Sequence, residues 1–314
     1  MISPYKILSA ISFLLIASFA NAQTTHWVED FSFPASAQNT LANGFNGWTV
    51  TTTGANGAEA NEWFVSCEEN GNLIGQCGSG CAGNATLHVG SLPNFVCPTG
   101  DCGAAYDAGG IITNTLTNKR AESPLINCSC SGSPVYLHFR YMLRGQNNID
   151  YFSLEYWDGA SWTVIVNPLP TALTCNPQGL WTAYSVALPP SAVNNPNVKI
   201  GFNWHNNNDG LGSDPSVAID SIVVYSQAIN YFADFTWSPQ NICYGDSVTF
   251  TNTTFGPASV WAWDFGGGGS PNTSTQQNPT VLFSTQGNYV VSLTASDNCG
   301  TPTSTNAYLI IVNN

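Results

Sequence analysis

The sequence predicts an all-β protein made of two β-sandwiches that follow one another along the chain. Beyond residue 22, apolar residues rarely recur at helical spacing, whereas short runs alternate apolar and polar residues with a period of two. Clusters of Gly, Asn, Pro and Ser separate these runs, as in sandwich folds. Aromatic residues make up 12% of the chain and charged residues 8%, a composition typical of a packed core and not of a disordered acidic chain.

The first 22 residues are typical of a secretory signal peptide. Lys6 precedes an apolar run from Ile7 to Ala20, and the segment ends in the small residues Ala20-Asn21-Ala22. No later stretch reaches the roughly 18–20 apolar residues that a membrane-spanning helix needs. We therefore expect an exported protein, secreted or at the cell surface, without membrane insertion.

The charge balance excludes two classes of partner. The chain carries 6 Lys and Arg against 19 Asp and Glu, which gives a net charge of −13 at pH 7. Nucleic acids and anionic lipid surfaces bind clusters of Lys and Arg, and this composition does not supply them. We expect no nucleic-acid partner.

All ten cysteines follow the signal peptide. An even number of cysteines behind an export signal predicts disulfide bonds. Zinc is the alternative, suggested by the short spacings Cys77-x3-Cys81 and Cys128-x-Cys130, but an oxidising compartment favours disulfides. The cysteines are Cys67, Cys77, Cys81, Cys97, Cys102, Cys128, Cys130, Cys175, Cys243 and Cys299.

Residues 23–228 form the predicted first sandwich. Asp158-Gly159 lies between two alternating runs and is a hairpin signal, which folds Trp162 back onto the sheet. The predicted strands are Val135–Leu143, Asp150–Trp157, Trp162–Val166, Thr182–Ala187, Val198–Asn203 and Val217–Tyr225.

Three stretches of this region carry a resemblance to a known fold family. They are "SPLINCSCSGSPVYLHFRYMLRGQNNIDYFSLEYWDGASWTVI", "LWTAYSVALP" and "KIGFNWHNNNDGLGSDPSVAIDSIVVYS". Together they resemble the jelly-roll sandwiches of the MAM and carbohydrate-binding-module type over about residues 27–226. The resemblance implies a jelly-roll β-sandwich.

A metal site is predicted between the first and the last strand of the first sandwich. The first strand, Trp27–Phe31, is expected to pair beside Val217–Tyr225 and to bring Glu29 or Asp30 near Asp220. Paired carboxylates repel each other unless a cation or a proton lies between them. The jelly-roll resemblance implies a structural calcium there. The alternative is that these acids face solvent at a sheet edge, where their repulsion is screened.

Residues 229–314 form the predicted second sandwich. The stretch "VWAWDFGGGGS" at 260–270 is not a phosphate-binding loop, because neither Lys nor a helix follows its glycines. Trp261, Trp263 and Phe265 alternate onto one strand face, so the glycines form a loop after a buried strand. The predicted strands are Ala233–Ser238, Ser247–Asn252, Ser259–Phe265, Thr280–Phe283, Asn288–Ser296 and Thr305–Val312.

This second region resembles the PKD domain, an immunoglobulin-like β-sandwich of secreted bacterial proteins, over about residues 231–314. The motifs that carry the resemblance are "GDSVTFTNTT", "WAWDFGGGG", "NPTVLF" and "GNYVVSLTASDNCG". Gly267 stands where the family usually has Asp. The resemblance implies a spacer or adhesion module, with Trp261 and Trp263 in the core or, alternatively, on a ligand. It also implies a disulfide between Cys243 and Cys299.

The sequence offers no catalytic motif. His26, His88, His138 and His205 are not part of an HExxH motif, and no GxSxG motif is present. A glycosidase needs two carboxylates about 5–10 Å apart in a cleft. The acids Asp101, Asp107, Glu155 and Asp158 show no spacing that favours such a pair. We expect a protein that is not an enzyme.

Glycan binding is the preferred functional hypothesis. Sugars stack their C–H faces on exposed aromatic rings, while Asn, Asp and Gln bond the hydroxyls. Trp157 lies opposite the alternating apolar residues of its strand, and Trp181 and Trp204 are further candidates for ligand contact.

The sequence thus predicts a secreted, disulfide-stabilised, non-catalytic protein for cell-surface adhesion or carbohydrate binding. Its expected partner is a polysaccharide, a cell-surface glycan or a surface protein. The alternatives are a structural spacer of a larger exported adhesin or hydrolase, and then an accessory glycosidase or peptidase.

Overall fold

The computed structural model describes residues 23–31, 39–40, 44–67, 85–91, 103–109, 113–146, 148–168, 170–172, 179–227, 232–256, 258–297 and 304–313. This part of the chain contains 21 β-strands and one turn of 3-10 helix at Pro190–Ala192, which confirms the all-β fold class. None of its helices is long and apolar enough to cross a membrane. The predicted signal peptide lies outside the described residues.

Residues 23–227 form two antiparallel sheets. The strands are β1 (Gln23–Glu29), β2 (Asn39–Thr40), β3 (Thr49–Thr52), β4 (Glu62–Ser66), β5 (Thr86–Gly90), β6 (Thr117–Glu122), β7 (Val135–Leu143), β8 (Tyr151–Trp157), β9 (Trp162–Val166), β10 (Thr182–Ala187), β11 (Lys199–Asn206) and β12 (Val217–Gln227). The seven-stranded sheet has the order β10-β7-β12-β5-β4-β2, with β1 also paired to β12. The five-stranded sheet has the order β3-β6-β11-β8-β9.

The strand order is that of a jelly roll. Strands β5-β12-β7-β10 lie in one sheet and β6-β11-β8-β9 in the other. The chain passes between the sheets at nearly every step from β5 to β12, and the only hairpin within one sheet joins β8 to β9. Eight strands connected in this way make the two Greek keys of a jelly roll. The predicted jelly-roll sandwich is therefore confirmed as a fold.

The core of the first sandwich lies between these two sheets. Phe152, Leu154 and Tyr156 of β8 alternate into it, as do Ile200, Phe202 and Trp204 of β11. Burying a side chain of this size contributes about 1.5–3 kcal/mol. The alternation that predicted these strands is thus the alternation that fills the core.

Five strands of this sandwich, β2 to β6, were not predicted. In three of them, β4, β5 and β6, the sequence does not alternate in hydrophobicity. Every residue of β5 is buried, as are four of the five in β4. The sequence of a strand that is buried on both faces does not alternate between apolar and polar residues. Strand β6 has the sequence TNKRAE, which places charged residues in the interior of a sheet.

Residues 232–313 form a second, smaller sandwich. The strands are β13 (Phe235–Ser238), β14 (Ile242–Cys243), β15 (Ser247–Asn252), β16 (Val260–Asp264), β17 (Gly269–Ser270), β18 (Thr273–Ser274), β19 (Thr280–Phe283), β20 (Gly287–Ser296) and β21 (Ser304–Asn313). One sheet has the order β13-β15-β19-β17 and the other β14-β21-β20-β16-β18. Trp263 and Phe265 are buried in the core between them, and Trp261 packs against its margin.

The glycine-rich stretch is a turn that follows β16. Gly266 and Gly267 have φ values of 67° and 83°, which favour glycine. A Cβ on Gly266 would lie 2.6 Å from the Val290 carbonyl oxygen, so only glycine fits there. The Gly267 N–H donates to Asn272 Oδ1 at 2.7 Å, which holds the turn.

The predicted disulfide between Cys243 and Cys299 is not formed, because Cys243 is a free, exposed cysteine. Cys243 pairs with Asn313 at the end of the sheet where β20 begins. Cys299 lies outside the described residues, three positions beyond Ser296, where the ten-residue β20 ends. That strand spans about 30 Å, and three residues reach back only about 10 Å. A disulfide needs Cα atoms within about 7 Å.

Other cysteines of the described residues divide into bonded and free. Cys67 and Cys130 are disulfide-bonded. Cys128 is a free thiol inside the first core, and burial raises its pKa to about 11. A thiol with that pKa is unreactive at neutral pH. The predicted cysteines Cys77, Cys81, Cys97, Cys102 and Cys175 lie outside the described residues.

Candidate functional site: the polar face of the five-stranded sheet

The five-stranded sheet of the first sandwich turns one side away from the core, and that side carries polar and aromatic residues. Side chains alternate along a strand, so the residues next to the core residues of β6, β8 and β11 point outward. We call this surface the polar face. Its residues are Asn118, Arg120, Glu122, Tyr151, Ser153, Glu155, Trp157, Trp162, Lys199, Asn203 and His205.

A buried ion network lies at the centre of the polar face. Arg120 Nη1 donates to Glu155 Oε2 at 2.6 Å, and its Nε and Nη2 donate to Glu122 Oε1 at 3.1 and 2.9 Å. All three side chains are at most 9% exposed. Lys199 Nζ lies 3.5 Å from Glu122 Oε2 at the margin. Buried charges persist only when they are paired and hydrogen-bonded in this way.

Neutral polar side chains of β8 and β11, and Thr53 just after β3, extend this network. Glu155 Oε1 accepts hydrogen bonds from Asn203 Nδ2 at 2.9 Å and from Ser153 Oγ at 3.1 Å. Asn203 Oδ1 in turn accepts one from Thr53 Oγ1 at 3.0 Å. We call these hydrogen-bonded side chains, together with the ion network, the floor of the polar face. Because each of them is fixed by its neighbours, the floor is rigid.

Two tryptophans lie side by side at one end of the polar face. The rings of Trp157 and Trp162 have centroids 5.6 Å apart and planes tilted by 47°, and both are half-buried. The Arg120 guanidinium lies 3.8 Å from the Trp162 ring centroid, a cation–π contact. A Cβ on Gly201 would lie 2.7 Å from the Trp162 ring, so the glycine allows this ring to approach β11 closely.

A second aromatic pair lies at the opposite end of the polar face. Tyr151 and His205 stack with centroids 4.4 Å apart and planes 16° apart, and both are half-buried. His205 Nδ1 is hydrogen-bonded to Asn118 Oδ1 at 2.8 Å, and its Nε2 lies 3.3 Å from Ser153 Oγ. Burial lowers the pKa of His205 while Glu155 partly opposes this, so the ring is neutral at pH 7.

The three tryptophans predicted to contact a ligand differ in their burial. Trp157 lies on the outward face, opposite the core residues of its strand. Trp181 and Trp204 are fully buried, so neither ring offers a face to a ligand and these two predictions do not hold. Trp204 packs edge-on against Tyr106 in the core. Trp162, assigned to the hairpin from sequence, supplies the second accessible ring.

The predicted metal ligands are only partly brought together. Strand β1 pairs with β12, as expected, and Glu29 lies opposite Ile222. Glu29 is buried and accepts hydrogen bonds from Phe31 N at 3.0 Å and Trp48 Nε1 at 3.2 Å. Its carboxylate is thus committed to protein donors and does not fit a metal. The described residues contain no group of three or more His, Cys, Asp or Glu side chains that could hold a metal ion.

The other two predicted ligands, Asp30 and Asp220, do influence each other. Asp220 is buried beside a bulge in β12, where Ser221 has a φ of 52°. Burial, reinforced by the charge of Asp30, raises the pKa of Asp220 to about 6, although a hydrogen bond from Ser221 and the charge of Arg140 oppose the shift. The ionised pair is therefore electrostatically unfavourable in the absence of a cation.

A separate pocket of about 190 Å³ lies at one end of the first sandwich and includes Tyr106, Asp107, Gly212 and Asp214 in its lining. Asp107 Oδ1 accepts a hydrogen bond from Gly109 N at 2.6 Å, and Asp214 Oδ1 accepts one from Tyr106 N at 3.0 Å. Both carboxylates therefore hold the loops that form the pocket.

The other acids considered as catalytic groups have structural contacts. Asp158 Oδ1 accepts hydrogen bonds from Ala160 N and Ser161 N, both at 2.8 Å, and so closes the β8–β9 hairpin. Glu155 belongs to the ion network of the polar face. Asp101 lies outside the described residues.

Comparison with known proteins identifies the second sandwich. Residues 233–312 match the sequence model of the family described as PKD domain. The PKD1 domain of the Vibrio cholerae metalloprotease PrtV is similar at 30% identity, over 27% of this chain and 100% of that domain, with a TM-score of 0.23. The PKD1 domain of Vibrio anguillarum Epp is similar at 28% identity, over 26% of this chain and 93% of that one, with a TM-score of 0.23.

A broader likeness covers more of the chain but is weak. The K3 cleaved adhesin domain of Lys-gingipain from Porphyromonas gingivalis W83 is 13% identical, over 61% of this chain and 98% of that one, with a TM-score of 0.36. At this level the function of one protein says nothing about the other. No curated protein matches the chain. The family match, together with the two-sheet fold of residues 232–313, shows that this chain carries a PKD domain at residues 233–312.

Proposed function

We propose that this protein is a secreted, non-catalytic adhesion protein that binds a glycan on the polar face of its first sandwich. The observation that supports this most directly is the pair of half-buried rings of Trp157 and Trp162 beside a fully hydrogen-bonded polar floor. Rings of this kind stack on the C–H faces of sugars, and fixed polar groups bond the hydroxyls.

The rigidity of the polar face favours binding over catalysis. Glu122 and Glu155 are both held by the same guanidinium, that of Arg120. A glycosidase requires one carboxylic acid that gives a proton and a second carboxylate that acts on the sugar. Carboxylates locked to Arg120 supply neither role. A floor that needs no rearrangement instead lowers the entropic cost of holding a ligand.

The PKD domain supports an extracellular location for this function, because such domains occur in secreted or surface proteins. In this proposal the PKD domain spaces the glycan-binding sandwich from its attachment point. The alternatives are a chain that serves only as a spacer and one whose polar face binds a surface protein. We also propose a structural calcium at Asp30 and Asp220, which would relieve the repulsion between these two carboxylates.

The proposal is tested by retention of residues 23–314 on a panel of insoluble polysaccharides, with calcium and with a chelator. Trp157→Ala and Trp162→Ala are compared with Phe255→Ala, which removes an aromatic ring that is 72% exposed in the PKD domain. Retention of the wild type and of Phe255→Ala, with loss in both tryptophan variants, is the expected result. Retention on no polymer, or equal retention of all variants, would contradict glycan binding by the polar face.

A further inference from the structure

We infer that the glycan bound by the polar face is an uncharged polysaccharide chain, not an acidic or sulfated one; this inference rests on the proposed function. The inference follows from the charges on and around the polar face and from the spacing and tilt of its aromatic rings.

The charged groups of the polar face compensate one another. Its two cations, Arg120 and Lys199, face the carboxylates of Glu122 and Glu155. All three guanidinium nitrogens of Arg120 already donate to carboxylates, so this residue has no nitrogen without a protein partner to offer an anionic sugar. A binding site for carboxylates or sulfates needs Arg or Lys whose charge is available to the ligand.

The surroundings of the polar face are acidic. Asp158 lies at the hairpin turn beside Trp157, and Asp209 lies just beyond His205 along the chain; neither is paired with Lys or Arg in the described residues. The whole chain carries a net charge of −13. A polyanion that approached either end would therefore be repelled at distances up to about 8 Å at physiological salt, whereas a neutral chain would not.

The arrangement of the rings indicates a chain and not a flat crystalline surface. Tyr151 and Trp157 stand at the two ends of β8, six residues and so roughly 20 Å apart. This length suits several sugar units in a row. The 47° tilt between Trp157 and Trp162 prevents both rings from lying flush on one plane, whereas a flexible single chain can follow both.

The experiment measures binding of residues 23–314 to soluble polysaccharides by affinity electrophoresis and calorimetry. The neutral polymers are xyloglucan, xylan, galactomannan and mixed-linkage β-glucan; the anionic ones are alginate, polygalacturonate and carrageenan. Each is measured at low salt and at 150 mM NaCl. A Lys199→Gln variant, which removes the one polar-face cation that is partly exposed, accompanies the wild type.

The expected result is binding to at least one neutral polymer, no binding to the anionic ones, and less than a twofold change in affinity with salt. Binding to an anionic polymer that weakens with salt and in Lys199→Gln would overturn the inference and leave glycan binding intact. Absence of binding to every polymer would overturn glycan binding itself, and this inference with it.

Discussion

The polar face of the first sandwich and the outward face of β20 and β21 in the PKD domain are built differently. The polar face of the first sandwich holds a buried ion network, with rings at both ends. In the PKD domain, β20 and β21 contain no charged residue, and their outward side chains include Val290, Leu309 and Ile311, each more than half exposed. We call this outward side of β20 and β21 the PKD face. It carries no charged side chain, whereas the polar face carries buried charges, which are costly unless they are paired. In our proposal, this difference reflects the ligand-binding role of the polar face.

The largest expected effect comes from breaking the ion network. Arg120→Met leaves the buried carboxylates of Glu122 and Glu155 without their cation, which costs about 3–5 kcal/mol of unfolding free energy. Urea denaturation followed by tryptophan fluorescence measures this change.

Replacing the whole network sharpens this prediction. A variant with Arg120, Glu122 and Glu155 all changed to Met is expected to recover most of the stability, because no charge remains buried. Loss of less than about 1 kcal/mol in Arg120→Met alone would mean that the network is not buried as the structure describes.

The next effect is a pH dependence that belongs to Asp220. Because its pKa is raised from 3.8 to about 6 in the folded protein, the folded state holds a proton that the unfolded state has lost. Stability is thus expected to fall as pH rises through this range. Asp220→Asn should remove the part of the fall that belongs to Asp220 and raise the melting temperature at pH 7; a part remains from Asp214, whose pKa burial also raises to about 6.

Addition of calcium tests whether Asp220 belongs to a metal site. If Asp30 and Asp220 bind the ion, calcium raises the melting temperature of the wild type above pH 6 and a chelator reverses the rise. The same additions leave Asp220→Asn unchanged. A wild-type melting temperature that changes with neither calcium nor chelator would contradict the metal site.

The smallest effect is expected on the PKD face. Leu309→Ser changes an exposed side chain that is 57% accessible and lies opposite Val290. Its unfolding free energy should change by at most about 0.5 kcal/mol, and its glycan affinity should not change. Loss of glycan binding in this variant would show that the PKD domain takes part in recognition and would remove the contrast between the two faces.

Local patterns in the sequence were sufficient for much of the fold. Strands β7, β9, β10, β15 and β19 have the predicted bounds. In β10, β15 and β19, more buried and less buried residues alternate along the strand. The same alternation correctly placed Trp157 outward, and it could also have assigned Trp204 to the core, since Trp204 is in phase with Phe202.

The centre of the candidate site could not be predicted from such patterns. Arg120 and Glu155 are 35 positions apart and meet only because β6 and β8 flank β11. The predicted bridge from Cys243 was wrong for a related reason, since the ends of β20 set its distance. A usable signal was the adjacent pair Lys119-Arg120 in a chain with only 6 basic residues.

The central claim is that the polar face, and not the PKD domain, binds the ligand. It is tested most directly by calorimetric titration of wild type, Trp157→Ala and Phe255→Ala with a polysaccharide that the wild type retains. We predict that Trp157→Ala lowers the affinity at least tenfold, which corresponds to about 1.4 kcal/mol, while its melting transition stays cooperative and Phe255→Ala binds like the wild type. Unchanged affinity in Trp157→Ala, or equal loss in Phe255→Ala, would contradict the claim.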